Sequence, residues 1–246
     1  MSAIHLYLQQ VQDILRRAEQ TQAAALEQAA QALARATEKG ANVFAFGCNH
    51  AGLLAMELFY RTGGLVTVNP VRAPGLNLDI SPVTMTTEME RMEEYGAAIF
   101  RNMPVKAGDV LLIHSVSGRN GVTVQMALDA RKMGITVIAL TNMATTTREK
   151  SRHSSGKNLY ECADIVVDNC GCYGDAALKL EGFEQKVAPT STAVGAALLN
   201  AVVARAVELL IKRGVNAPVF ISSNVVGGDE HNAKILDQYK GNIFYM

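Results

Sequence analysis

The stretch that decides the fold runs from Asp109 to Arg131 and reads DVLLIHSVSGRNGVTVQMALDAR. Its first five residues are an apolar run that predicts a buried strand, and the residues from Val124 onward have the apolar spacing of a helix. Ser115, Ser117 and Gly118 therefore lie on a strand-to-helix turn. In an open α/β sheet such turns lie at the carboxyl ends of the strands, where ligands bind.

The residue types on this turn favour an anionic ligand. Free backbone amides at a helix start and the helix dipole attract negative charge. Serine and threonine hydroxyls add neutral donors, and glycine lets the backbone approach a ligand closely. The turn therefore predicts a phosphate ester as ligand, held by Ser115, Ser117, Gly118, Arg119, Asn120 and Thr123. The alternative is an ordinary polar loop with a serine N-cap.

Composition narrows the class of protein. The chain has 246 residues and is 49% hydrophobic, so it can bury one large core. It carries 23 basic and 23 acidic residues, so it lacks the excess of positive charge typical of proteins that bind nucleic acids. Residues 1–12 show no secretion signal. The most apolar helix, Thr192 to Leu210, contains Arg205 and Glu208, which argues against a membrane span. We expect a cytoplasmic protein with reduced cysteines and no metal site.

Hydrophobic periodicity gives the order of elements. A long helix is predicted from Ile4 to Lys39, ended by Gly40. Strands are predicted at Asn42–Phe46, Leu65–Val68, Asp109–Ile113, Gly134–Leu140 and Ile165–Asp168. Helices are predicted through Tyr60, at Glu88–Asn102, after Val124 and at Ala193–Arg213. This alternation predicts a parallel sheet covered on both faces, within a single domain 1–246 made of a helical segment 1–39 and a core 40–246.

With these elements placed, the chain resembles the sugar isomerase (SIS) domain family over residues 2–246. Ser115-Val116-Ser117-Gly118-Arg119 is similar to that family's second signature, which closes on a sugar phosphate, and its Ser-Gly-Arg form is similar to that of N-acetylmuramic acid 6-phosphate etherases. Phe46–His50, followed by Glu57 and Arg61–Gly64, resembles the first signature. Asn224–Asn232 resembles the end of an uncharacterised branch of single-SIS-domain bacterial proteins.

The resemblance implies an architecture and a ligand. The fold it implies is a three-layer αβα sandwich with a five-stranded parallel sheet. It also implies a phosphorylated sugar as ligand, no cofactor, and a homodimer or homotetramer. Through the first signature it adds Gly47, Cys48 and Asn49 to the binding residues. One departure is Ala51, which replaces an expected hydroxyl, whereas Asn49 is able to adopt the positive φ of the glycine usual there.

Candidate catalytic residues follow from the same resemblance. Glu57 falls where phosphoheptose isomerases carry a catalytic glutamate, and a carboxylate with a pKa near neutrality moves a proton between adjacent carbons. The alternative for Glu57 is a solvated helix face. His50 and His114 end strands beside the two turns, where a histidine stabilises phosphate or opens a sugar ring, or is simply structural. His231 either completes a neighbouring subunit's site or caps a helix.

Two further groups have open alternatives. Thr190, Ser191 and Thr192 precede the last long helix, where a hydroxyl is a common N-cap, while in the SIS family such a cluster also faces the sugar phosphate. Glu181 and Glu184 are predicted to be exposed, with an acid–base role in an etherase-like reaction as the alternative.

Three hypotheses for the function remain at this point. The first is an isomerase, or an etherase or lyase, that abstracts a proton next to a carbonyl of a phosphorylated sugar. The alternative is a non-catalytic phosphosugar sensor, although no helix-turn-helix module accompanies the SIS-like core. A nucleotide-binding protein is disfavoured, because neither turn has the Gly-x-Gly-x-x-Gly pattern or a Walker lysine.

Overall fold

Five parallel strands form one sheet in a computed structural model that describes residues 1–246. The strand order is β2-β1-β3-β4-β5, so β2 and β5 are the edges. The strands are β1 Val43–Gly47, β2 Val68–Pro70, β3 Val110–His114, β4 Thr136–Thr141 and β5 Ile165–Asp168, and a separate antiparallel hairpin pairs β6 Ala176–Lys179 with β7 Lys186–Pro189.

Eight α-helices surround the sheet. They are α1 Ala3–Glu38, α2 Leu53–Leu58, α3 Met85–Met89, α4 Glu93–Arg101, α5 Gly121–Lys132, α6 Met143–Thr146, α7 Ser191–Lys212 and α8 Gly228–Gln238. The side chains of each strand alternate between two cores, as the pleat requires. Val43, Leu112 and Ile138 face α1 and α7. Phe46 and Ile113 face the opposite way, toward α4 and α5.

The three-layer sandwich expected from the sequence is confirmed. The long helix α1 ends at Glu38, one residue before the predicted last residue Lys39. The boundaries of β1, β3, β4 and β5 lie within about two residues of the predicted ones. Helix α7 is long and apolar enough to cross a membrane, but it packs along α1 in the larger core, as a core helix does. That residues 1–246 act as one domain stays a prediction.

Two predicted elements are wrong in detail. The second strand is Val68–Pro70 rather than Leu65–Val68, because Leu65 instead bridges to Val219 of the C-terminal segment. The helix predicted at Glu88–Asn102 is two helices, since the chain leaves helical geometry at Met92, where ψ is 108°. The β6–β7 hairpin was not predicted, because its strands are half-exposed and carry no alternating pattern.

Candidate functional site

A cavity of about 310 Å³ lies at the carboxyl ends of β1 and β3, within the size range of small-molecule sites. It is lined by Cys48, Asn49, His50, Ala51, Glu90, Ser115, Val116, Ser117, Asn120, Thr145, Gly174 and Asp175. The two turns singled out in the sequence therefore meet at one place. A larger cavity of about 790 Å³ beside α4 and α5 has no such group of hydroxyls and turns.

The serine turn is shaped by Gly118, which has a φ of 61°. A Cβ at this position would lie 2.8 Å from Thr146 Oγ1, so a side chain would be both strained and crowded. The Gly118 amide donates to Ser115 Oγ at 3.2 Å. The amides of Ser117, Arg119 and Asn120 have no acceptor within the chain, and they precede the twelve-residue helix α5. These free donors suit a tetrahedral anion.

The first turn takes the backbone conformation anticipated from its sequence. Asn49 has a φ of 56°, as proposed for the residue that replaces glycine in the first signature. Its amide donates to the Leu76 carbonyl at 2.8 Å, which fastens the turn to the loop after β2. Ala51 contributes no hydroxyl to the cavity wall, and its carbonyl oxygen instead faces His114.

His114 lies beneath this wall and is 1% exposed. Its Nδ1 lies 3.1 Å from the Ala51 carbonyl oxygen, which can only accept, so Nδ1 carries the proton. Nε2 is buried without a partner. Burial lowers the pKa of His114 to about 4, because the imidazolium form loses its hydration, although the bond to Ala51 and the charge of Asp175 act in the opposite direction. His114 is therefore a neutral residue that supports the first turn.

The side chain of Asp175 caps the start of helix α7. Its carboxylate accepts from the amides of Thr190 and Ser191 at 3.0 and 2.8 Å, and from Ser191 Oγ at 2.7 Å. The hydroxyl cluster predicted to face a sugar phosphate is thus turned toward Asp175, and Thr190 and Ser191 are buried. Thr192 is half-buried and does not line the cavity.

Like Asp175, Glu90 is one of the cavity residues that sequence analysis missed. Burial raises the pKa of its carboxyl, while the side-chain amides of Asn120 and Asn49 and the charges of Arg152 and Arg91 oppose the shift. It lies among other acids in an exposed-looking segment, so neither periodicity nor a motif distinguishes it. The one available signal is the length of the segment between β2 and this residue, because long loops often have a function.

Several predicted site residues lie outside this cavity. Glu57 forms an ion pair with Arg61 and accepts from Asn200 Nδ2 at 2.9 Å, so it contacts α7. His231 Nε2 donates to the Val219 carbonyl at 3.1 Å, beside β2.

Two residues of the serine turn also point away from the cavity. Arg119 pairs with Glu149 at 2.6 Å, and Thr123 Oγ1 donates to the Asn120 carbonyl within its own helix. The catalytic and binding roles assigned to all these residues stay predictions.

The comparison with known proteins identifies the family to which this fold belongs. A SIS domain model matches residues 6–142. The chain belongs to the SIS domain family. It is 43% identical over 246 residues to a UPF0309 protein from Shouchella clausii, with 100% of both chains covered. It is 44% identical to a UPF0309 protein from Oceanobacillus iheyensis over 218 residues, which are 89% of each chain.

A solved relative confirms the fold of the SIS domain. The phosphoheptose isomerase of Neisseria gonorrhoeae superposes with a TM-score of 0.55 and 17% identity, covering 83% of this chain and 97% of that one. At this identity the likeness concerns the fold alone. The resemblance drawn from the two signatures is confirmed by the family match and by the relatives of full length.

Proposed function

We propose that this SIS domain protein binds a phosphorylated sugar in the cavity at the ends of β1 and β3. We further propose that it moves a proton next to the carbonyl of that sugar, as an isomerase or as an etherase or lyase. The observation that carries the proposal is the serine turn, because buried Ser115 and half-buried Ser117 line one cavity at a helix start and three amides of this turn are unpaired. Such a set of neutral donors holds a phosphate without a metal ion.

A second cavity supports a sugar rather than a bare anion as ligand. It has a volume of about 420 Å³, shares Asn49 with the first, and is lined in part by Arg72, Asn77 and Asp79. Charged and amide side chains of this kind donate to and accept from hydroxyl groups. A sugar phosphate whose phosphate lies at the serine turn has room to extend past Asn49 toward these groups.

Thermal denaturation against a panel of aldose and ketose phosphates tests this function, with the parent sugars as controls. A ligand present at a hundred times its dissociation constant stabilises the fold by about 2.7 kcal/mol. We expect stabilisation by at least one sugar phosphate and none by its parent sugar. Equal stabilisation by both would place the phosphate outside the site.

Replacing Ser115 and Ser117 with alanine should weaken binding of the best sugar phosphate by roughly 1–3 kcal/mol for each lost hydrogen-bond partner. The physical reason is that the phosphate oxygens keep their desolvation cost and lose their donors. Calorimetric titration measures the change, and the exposed Ser223→Ala variant is the matched control. Unchanged affinity in the double variant would move the phosphate site elsewhere.

A further inference from the structure

The cavity contains two carboxyl groups, and they differ in what they already bind. Both oxygens of Asp175 accept hydrogen bonds from the start of α7. Glu90 forms no ion pair with any basic side chain, although it faces the same cavity. A half-buried carboxyl without an ion pair is costly for stability and is typical of functional sites. Glu90 is therefore the acid of this cavity that is free to exchange a proton.

The backbone holds Glu90 firmly against the start of α5. Its carbonyl accepts from the Val122 amide at 3.1 Å, and its amide donates to Thr86 at 3.0 Å. A Cβ on Gly121 would lie 2.4 Å from the Arg91 carbonyl oxygen, so glycine is needed for this close approach. The break between α3 and α4 thus places Glu90 beside the helix start that the phosphate would bind.

The groups around Glu90 act on the pKa of its carboxyl in opposite directions. Asn120 Oδ1 accepts from Arg152 Nη1 at 2.9 Å, which leaves the NH₂ group of Asn120 for the Glu90 carboxylate. These donors stabilise the charged form, whereas burial favours the neutral form and outweighs them. The other titratable or charged groups that face Glu90 or its cavity are Cys48, His50, Arg91, Arg152 and Asp175.

The geometry points to Glu90 as the catalytic acid–base of this cavity, a role that rests on the proposed function. The Glu90 carboxylate takes the proton from the carbon beside the substrate's carbonyl. The C–H electron pair becomes the double bond of an enediolate as the carbonyl electrons move to oxygen. In isomerisation, the protonated carboxyl delivers its proton to the former carbonyl carbon, while the proton of the neighbouring hydroxyl moves to the former carbonyl oxygen and a new carbonyl forms at the neighbouring carbon. In elimination, the carboxyl delivers its proton to a departing β-oxygen as that C–O bond breaks, the original carbonyl re-forms and a C=C bond forms between the α- and β-carbons, which releases water or an alcohol. Neither course needs an oxidant or a reductant.

A bound phosphate strengthens this role. Its negative charge lies near Glu90 and disfavours the ionised carboxylate, which raises the pKa of Glu90 further in the complex. Anion binding is therefore accompanied by proton uptake at pH values around the raised pKa of Glu90. Sulfate is a suitable probe, because it has the shape and charge of the phosphate but does not titrate in this range.

The first experiment follows exchange of the substrate C2 proton with deuterated solvent, for every sugar phosphate that binds. We expect Glu90→Gln to slow exchange by about two to four orders of magnitude while sugar-phosphate affinity stays within a few-fold. Glu88→Gln is the matched control, since Glu88 is an exposed carboxyl on α3, two residues before Glu90. The Glu90→Asp variant keeps the carboxylate but shortens its reach, so its exchange rate should lie between those of wild type and Glu90→Gln.

The second experiment measures proton uptake when sulfate binds, by calorimetry in two buffers of different ionisation enthalpy. Wild type and Glu88→Gln should take up protons, and Glu90→Gln should take up measurably fewer. Exchange at the wild-type rate in a folded Glu90→Gln variant overturns the role of Glu90 while the phosphosugar function stands. If Glu90→Gln does not fold, the Glu90→Asp variant decides instead: exchange at the wild-type rate in that variant also overturns the role of Glu90. Absence of exchange from every bound sugar phosphate overturns the role of Glu90 and the enzymatic function together, and leaves the sensor.

Discussion

At the scale of single residues, the site is decided by which polar groups are already satisfied. The hydroxyls of Ser191 and Thr123 bind within the chain, whereas the amides of Ser117, Arg119 and Asn120 do not. His114 and Glu90 both lie in the low-dielectric region at the ends of the strands. Burial favours the neutral form of each side chain, so it lowers the pKa of His114 and raises the pKa of Glu90.

His114 should make the fold sensitive to acid. Its folded pKa is about 4 and its ordinary value is 6.5, so between these values the unfolded chain binds a proton that the native state does not. Stability is therefore complete above pH 6.5 and falls as the pH drops toward 4, by about 3 kcal/mol. Urea denaturation from pH 7 to 4 measures this slope.

His114→Asn keeps a donor for the Ala51 carbonyl but does not titrate, so its stability should fall less steeply over the same range. His5→Asn, at an exposed position on α1, is the matched control. An identical slope in wild type and His114→Asn would show that other groups cause the acid sensitivity.

At the scale of elements, the strands and long helices were predictable, and the short connections that form the site were not. Runs such as Val110–His114 carry a strong local pattern because both faces of a parallel strand are buried. The position of Glu90 depends instead on a helix break at Met92 and on a contact with α5, which is distant in sequence. The serine turn was found because its signal, a strand followed by hydroxyls, glycine and a helix, is contiguous.

The start of α7 depends on Asp175, which supplies the acceptors that its first amides lack. Asp175→Ala should lower the free energy of unfolding by about 1–2 kcal/mol, with a further loss because the residue has a φ of 68°, which alanine disfavours. Asp175→Asn keeps an acceptor and tolerates this φ, so its loss should be smaller. Urea denaturation of the two variants measures the difference, and equal losses would argue against a capping role.

At the scale of the whole molecule, apolar side chains remain exposed on the first turns of α1. Ile4 is 75% exposed and Leu8 is 56% exposed, and apolar side chains exposed together on one face mark an interaction surface. We expect at least a homodimer, up to a homotetramer, in which a second copy covers this face. Analytical ultracentrifugation at micromolar concentration should give at least twice the chain mass of 26.4 kDa. A monomer would also exclude any site shared between subunits through His231.

The C-terminal segment covers the edge of the sheet at β2. The Gly63 amide donates to the Phe220 carbonyl at 2.8 Å, and the Phe220 amide donates to the Gly64 carbonyl at 3.1 Å. Tyr245 Oη donates to the Val66 carbonyl at 2.8 Å, and the Phe244 amide donates to Asn69 Oδ1 at 2.8 Å. An open strand edge is a template on which other chains add strands and aggregate. We expect the last residues of this chain to hinder the addition of a strand at this edge, so a chain shortened before Phe244 should aggregate more readily while its core stays folded.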